Sequence, residues 1–439
     1  VRIGPNLLVE LARGPQVDTV GLAAPLMLRL GAQIEAPLRE LLRARGEQVP
    51  EALLQAALPA LARDPGILDR LLGSLEAPGQ RALLSALAPW PLPGRAERLA
   101  RLWRGAEEPR LRRLLCEEAL VSAPDEGSLR EALAALWGLP VVELAARAVP
   151  LTLLEPVAAR SLLLSLGDPE AEALGSRLAA CAGADRAGVE EALAALDDPQ
   201  ELARFGAVLA LGACWEDPRA AERLVALAAD GADPRGALAL GALCRVQHEA
   251  LEVALVERLR STEDRGTARL ALRCVAARAP EGALLPLLRA LRAESPRIAA
   301  LAALALAPRS LPTASLLKAL GRHRYSPCEP LVAPLLWASW PARVGEVARC
   351  LEDADREVNQ AAVALLGALG PPEAAPALLR ALSSHQEDPE LILNALELLG
   401  PVAWRGLQEF AQAQPEFSRR FALTRRVQLL EQLSQEPPA

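Results

Sequence analysis

Proline punctuates this chain at a nearly constant interval, and that interval limits what the chain can fold into. From Pro78 onward prolines stand at 109, 140, 169, 199, 234, 296, 327 and 389, with Gly266 and Arg356 in the two slots where proline is missing. The gaps run from 29 to 35 residues. A period of about 31 holds two short helices and two tight turns, one helical hairpin, and excludes longer repeat units. Asp168-Pro169, Asp198-Pro199, Asp217-Pro218, Asp233-Pro234, Ser295-Pro296, Ser326-Pro327 and Asp388-Pro389 each read as an N-cap followed by proline in the first helical turn. There the missing N–H of proline costs nothing.

One unit shows the pattern fully. Glu352 to Asp355 supply acidic cap residues, Val358 to Leu369 run at helical spacing, and Gly370-Pro371-Pro372 stops the helix. A second helix follows over Glu373 to Leu382, with Pro376 in its first turn. Second helices recur at Leu129–Leu136, Val189–Leu196, Leu284–Leu291 and Ala314–Leu320, each with apolar residues at i, i+3, i+4 and i+7. One hairpin cannot bury such a face alone, so each unit is stable only when stacked on its neighbours. Hydrophobic residues make up 51% of the chain but aromatics only 3%, which leaves a core of Ala and Leu. Both are strong helix formers, and the β-branched and aromatic residues that strands need are scarce.

These features predict an all-α fold, a right-handed α-solenoid of about eleven helical hairpins. Residues 1–77 are read as an irregular N-terminal cap, 78–400 as the regular array, and 401–439 as capping helices with a frayed tail. A solenoid extends in one dimension, so 439 residues need no single large core. In the last segment Trp404, Phe410, Phe417 and Phe421 cluster with Arg419, Arg420, Arg425 and Arg426, and Leu423–Leu433 reads as a final amphipathic helix.

Charge and composition exclude several functions. A net charge of −7 argues against a general nucleic-acid binder, which needs clustered Lys and Arg. The uncharged run Pro330 to Ala342 has 13 residues and three prolines, too short and broken to span a bilayer. The N-terminus has neither the basic region nor the apolar core of a signal peptide, and seven cysteines without a CxxC suit a reducing compartment. A cytoplasmic location is expected. Cys181, Cys214, Cys244 and Cys274 follow at 33, 30 and 30 residues, which places them as core residues late in successive first helices.

Catalytic signatures were sought without success. His248, His323 and His385 are far apart, HExxH, Walker and GxSxG motifs are absent, and Lys318 is the only lysine. The adjacent carboxylates Glu117-Glu118 and Glu190-Glu191 read as solvated helix faces. No catalytic residue, metal ligand or cofactor is expected. One segment breaks the Ala-Leu pattern: Lys318, Arg322, His323, Arg324, Tyr325, Cys328, Trp337 and Trp340. Tyr, Trp and Arg dominate protein-binding hot spots, so Arg322, His323, Arg324, Tyr325, Trp337 and Trp340 form the candidate partner-binding patch. Trp residues filling core space is the competing reading of Trp337 and Trp340.

The Asp-Pro start, small-residue helix, Leu-Gly end and short second helix resemble the short bacterial HEAT-like repeats of the phycobilin-lyase type, over roughly 78–400. The Val-Arg pair of that family's first helix stands here as Val358-Asn359, Ile298-Ala299 and Ala203-Arg204, so no regular arginine ladder is expected. The resemblance implies an α-solenoid and three functions: a protein-binding scaffold, a lyase or binder for a bilin tetrapyrrole, or a binder of DNA lesions, which the acidic balance disfavours. The leading expectation is a non-enzymatic scaffold or adaptor for one or more proteins.

Overall fold

The computed structural model describes residues 31–90, 92, 95–181, 186–230, 233–262, 266–323, 332–340, 342–384 and 389–435. Among these every regular element is helical. Two aspartate caps form as read: Asp168 Oδ1 accepts from Ala171 N at 3.0 Å, and Asp217 Oδ1 accepts from Arg219 N at 2.9 Å; after Asp198-Pro199 the helix begins only at Glu201, behind Gln200. In the best-marked unit, Asp355 caps a helix of Arg356–Leu369, and Gly370 ends it. Ser295 departs from the pattern, since its side chain makes no capping bond although the helix begins at Pro296.

Contacts divide the chain into two compact units, Val1–Pro93 with Leu311–Ala439, and Gly94–Ser310. The first unit joins the two ends of the sequence. Its N-terminal helices are α1 (Glu35–Arg45), α2 (Glu51–Gln55), α3 (Leu58–Arg63), α4 (Pro65–Ser74) and α5 (Ala77–Leu87).

The second unit begins with α6 (Arg95–Gly105), α7 (Pro109–Ser122), α8 (Glu126–Trp137), α9 (Leu144–Leu151) and α10 (Pro156–Ser165). Then come α11 (Pro169–Cys181), α12 (Arg186–Ala195), α13 (Glu201–Ala213), α14 (Pro218–Ala229), α15 (Arg235–Arg245) and α16 (Leu251–Ser261). It ends with α17 (Gly266–Arg278), α18 (Leu285–Ala290) and α19 (Pro296–Leu306). First helices α11, α13, α15, α17 and α19 stack in order, and second helices α14, α16 and α18 stack beside them. In a linear stack each repeat touches only its neighbours. Here α9 also packs across α13, α15 and α17, and α7 packs on α17. Helices α13, α15 and α17 are therefore enclosed over most of their length, and α15 is buried without a break from Gly236 to Cys244. A helix apolar on every side can only lie inside. Burial of Leu238, Leu240 and Leu243, each fully enclosed, contributes about 1.5–3 kcal/mol apiece.

The first unit resumes with α20 (Thr313–Arg322), α21 (Pro334–Trp337), α22 (Val344–Arg349), α23 (Arg356–Leu369), α24 (Ala375–Ser384), α25 (Pro389–Leu399), α26 (Pro401–Gln412) and α27 (Phe417–Gln435). Helices α20, α23 and α25 stack, and α21 meets α3. The last carbonyl of α23, on Leu369, accepts from Arg63 Nη2 at 3.0 Å and from Trp340 Nε1 at 2.9 Å. Arg426 holds α27 to α25 through Glu390, Glu397 and Asn394. The final helix starts at Phe417, six residues before the expected Leu423.

Arginine reaches helix ends throughout. Helix C-termini leave carbonyls without intrahelical donors, and arginines of neighbouring helices supply them. Arg245 donates to Gly212 O and Leu154 O, Arg309 to Ala277 O at 3.1 Å, and Arg258 to Asp230 O at 3.0 Å. Arg235 and Arg297 do the same for Leu196 and Thr262, and Arg343 donates to Leu311 O in the segment before α20. An arginine network therefore exists, built from positions other than the Val-Arg slot and directed at backbone oxygens.

Close helix approach yields the first prediction. A Cβ on Gly241 of α15 would lie 2.0 Å from Thr152 Oγ1. Gly241→Ala is expected to lower stability in urea unfolding by about 1–3 kcal/mol from overpacking, outweighing a helix-propensity gain of about 1 kcal/mol. Gly73→Ala in α4, which meets nothing within 4 Å, is expected to raise stability by about 0.5–1 kcal/mol. The thiols give a second. Cys214, Cys244 and Cys274 are buried, and burial pushes Cys244 up to about 12 and Cys274 to about 11. Cys116 of α7 rises likewise to about 12. Since the thiolate is the reactive form, these four are expected to resist a disulfide-exchange reagent at pH 8 until the protein is unfolded. Rapid native reaction at any of them would contradict this packing.

Candidate functional site

The second unit contains a cavity of about 530 Å³ where helical hairpins turn. The α7–α8 turn, the α9–α10 turn and the end of α17 enclose it, with Arg95 of α6 and Pro308 beyond α19 completing the wall. Val121, Leu129 and Leu154 border it but are nearly fully buried, so the accessible lining is chiefly polar. The size falls in the range typical of small-molecule sites, about 300–1,000 Å³.

Behind the wall lies a buried ion cluster. Arg273 of α17 grips Glu118 of α7 with two bonds, Nη1–Oε1 at 2.5 Å and Nη2–Oε2 at 2.6 Å. Arg95 adds a third, Nη2–Oε2 at 2.7 Å. The Glu118 side chain is 1% exposed. Burial alone would push its carboxyl up, but the charge and hydrogen bonds of Arg273, then the charge of Arg95, bring it below the ordinary carboxylate range. Glu117 faces outward from this cluster toward Arg113, bonded Nε–Oε1 at 2.8 Å, and burial dominates to push its carboxyl up. The expectation that Glu117-Glu118 forms a solvated face is corrected here. Glu118 faces α17 because α7 folds back onto the first-helix layer, a contact across 155 residues.

Arginines bond the backbone carbonyls around the cavity. Arg278 donates to Leu120 O at 2.8 Å, Ala123 O at 3.4 Å and Cys274 O at 3.1 Å. Arg245 and Arg309 hold the lining carbonyls of Leu154 and Ala277. Among the described residues these three arginines bond only carbonyl oxygens. The mouth carries Asp125, Glu126 and Glu155, all exposed. Asp125 caps α8, and the Ser128 N–H at 2.7 Å, then the Ser128 hydroxyl, hold its carboxyl below the usual range.

The segment singled out by sequence is only partly brought to the surface. Arg322, at the end of α20, is exposed and Trp337 is half-buried. His323 is 3% exposed and Trp340 is fully enclosed, with its indole N–H bonded to Leu369 O. Both belong to the core. Arg324 and Tyr325 lie outside the described residues. Lys318 pairs with Asp355 across α20 and α23. His248 Nδ1 accepts from Ala250 N at 3.1 Å in the α15–α16 turn, and His385 lies outside the described residues. Trp90 and Trp137 are buried, while Trp215 is 37% exposed. The cavity arginines were missed by sequence reading. Their signal was an arginine at or just past the end of successive first helices, Arg245, Arg278 and Arg309.

Residues 346–415, from α22 into the turn after α26, match the family of HEAT repeats. This supports a HEAT-like repeat protein with an all-α solenoid fold. No curated protein matches the chain. No helix among the described residues is long and apolar enough to cross a membrane.

The ion cluster gives a pH prediction. A depressed folded-state value means that Glu118 contributes stability above the unfolded carboxylate pKa and loses it as pH falls through its folded value. Wild type is therefore expected to lose stability more steeply below about pH 4.3 than Glu118→Gln. At pH 7 the substitution should cost about 3–5 kcal/mol, because it leaves two buried arginines short of their counter-charge. Urea titrations at several pH values read both effects.

Proposed function

We propose that this protein is a non-enzymatic scaffold or adaptor that binds other proteins through its exposed helical surface, in the cytoplasm. The supporting observation is a row of exposed apolar side chains at one end of the second-helix layer. Trp215 precedes α14, Val253 lies in the first turn of α16, and Leu285 opens α18, with exposures of 37%, 63% and 47%. Large apolar and aromatic groups on a rigid helical face are the groups that anchor protein interfaces. Arrays of HEAT repeats commonly serve as scaffolds for other proteins.

Arg322 and Trp337, with Arg324 and Tyr325 beside them in sequence, form a second proposed contact. The acidic balance, −7 overall, disfavours nucleic acid as the partner.

Affinity capture from native lysate tests this reading, using wild type beside Val253→Glu/Leu285→Glu and Arg322→Glu variants of matched melting temperature. The expected result is a stoichiometric protein partner whose recovery falls at least about tenfold in one variant, the loss of a hot spot worth roughly 1.4 kcal/mol or more. Isolation free of any protein partner after in-cell crosslinking would contradict the reading. So would turnover of a small molecule by the pure protein that one point mutation abolishes.

A further inference from the structure

The geometry points to the exposed face of α14, α16 and α18 as the docking site for one kind of partner: an amphipathic helix of another protein, with Lys or Arg along one flank of its apolar stripe. The inference rests on the adaptor reading above and names the chemistry of the partner.

Helices α14, α16 and α18 pack side by side, and the turn 281–284 that opens α18 also packs on α16. Their starts therefore lie along one edge of the layer. Trp215, Val253 and Leu285 stand there, one exposed apolar side chain for each helix. Val256 and Leu288, one turn further along α16 and α18, continue the apolar surface as half-buried side chains. Packed helices lie about 8–10 Å apart, so the anchors recur at about that interval. Two turns of an α-helix advance about 10.5 Å and return a side chain to the same face. A helix laid across the layer thus meets successive anchors with residues i, i+7 and i+14. A β-strand repeats its face about every 6.6 Å and misses the middle anchor. Polyproline II, at about 9.3 Å per turn, keeps step as well, but the grooves that take it are lined by aromatics and this row has one.

The same edge is acidic. Glu216 follows Trp215, Glu249 and Glu252 precede Val253, and Glu281 precedes Leu285; Glu252 is half-buried and the other three are exposed. Among the described residues none of these four forms an ion pair. Helix dipoles favour carboxylates at these starts, but they give no reason for the apolar side chains set among them. Arg219 is taken by Asp217 and Glu190, and Glu222 and Arg223 balance in charge on α14. The opposite ends of α16 and α18 are basic, with Arg260 paired to Glu257 and with Arg289 and Arg292 exposed. The acidic rim therefore runs along one side of the apolar row only, and complementarity places the partner's cations on one flank. Opposite charges across an interface speed encounter and suppress wrong partners.

Fluorescence anisotropy of the full chain with synthetic peptides of about 18 residues, enough helix to cross three packed helices, tests the proposal. The first peptide carries Leu at heptad spacing, Lys along one flank and Gln along the other. Three controls replace its Lys by Glu, its heptad Leu by Ser, or a central residue by Pro. The Lys peptide should bind at least tenfold more tightly than each control, and should weaken as salt rises. Glu249→Lys/Glu252→Lys, with folding checked by melting temperature, should weaken the Lys peptide at least fivefold and strengthen the Glu peptide. Glu216→Lys/Glu281→Lys, at other helix starts, should do the same, so the result does not hang on one variant folding. Equal binding of Lys and Glu peptides, equal binding of the Pro peptide, no response to either charge reversal, or no binding of any peptide at about 0.2 mM would overturn the proposal. A protein captured from lysate that Val253→Glu/Leu285→Glu releases but charge reversal does not would overturn this inference alone and leave the adaptor reading standing.

Discussion

The stack depends on how its helix ends are satisfied. Each hairpin terminates two helices, and each termination leaves carbonyl oxygens that need donors. Water serves at an exposed end, but the first helices α13, α15 and α17, enclosed over most of their length, need donors from the protein itself. Long arginine side chains meet that need, reaching from one repeat to the C-terminus of another, as Arg245 does to Gly212 and Arg309 to Ala277. A charged donor makes a stronger hydrogen bond than a neutral one, and guanidinium has N–H groups enough for several acceptors. Arginine is therefore an inter-repeat fastener in an acidic protein, and its use as a fastener brings positive charge to the turns.

The same device closes the 94–310 unit. Helices α7 and α9 lie across the first-helix layer, and Glu118, Arg273 and Arg95 stitch α7 to α17 and α6. Burying these ions costs desolvation, so the cluster adds modestly to net stability, yet removing one member is costly. Its position sets the register of α7 on α17. That register in turn brings Arg278 against the α7–α8 turn, where both line one cavity. Fold and candidate site thus share one ion cluster.

Much of this was legible in the sequence. The period of about 31 residues, the Asp-Pro caps and the i, i+3, i+4 pattern follow from backbone chemistry that acts within a dozen residues, and the helices formed where those signals stood. Cysteines 214, 244 and 274 fell in the core because their spacing equals the repeat. The return of α7 and α9 was not legible, because contacts across more than 100 residues leave little local trace. One trace did exist: Gly236 to Cys244 has no polar residue, so α15 had no face to show to solvent. Glu118 was misread because a carboxylate in a helix is normally solvated, and its partner stands 155 positions away. Trp340 was ambiguous for a related reason, since an indole suits both a hot spot and a core position with a backbone acceptor such as Leu369 O.

The central claim is that the second unit folds back on itself and is not a linear stack. A Cβ on Gly266, at the start of α17, would stand 3.6 Å from Arg113 Nη2 of α7. In a linear array these helices would be five repeats apart, roughly 45–50 Å at about 9–10 Å per packed helix layer. Spin labels at exposed Arg110 and Gly266, placed after replacement of the reactive native cysteines, measure the separation directly by pulsed dipolar spectroscopy. The account predicts a narrow distribution below about 25 Å, a few helix diameters at most. A distribution centred near 45–50 Å would contradict it.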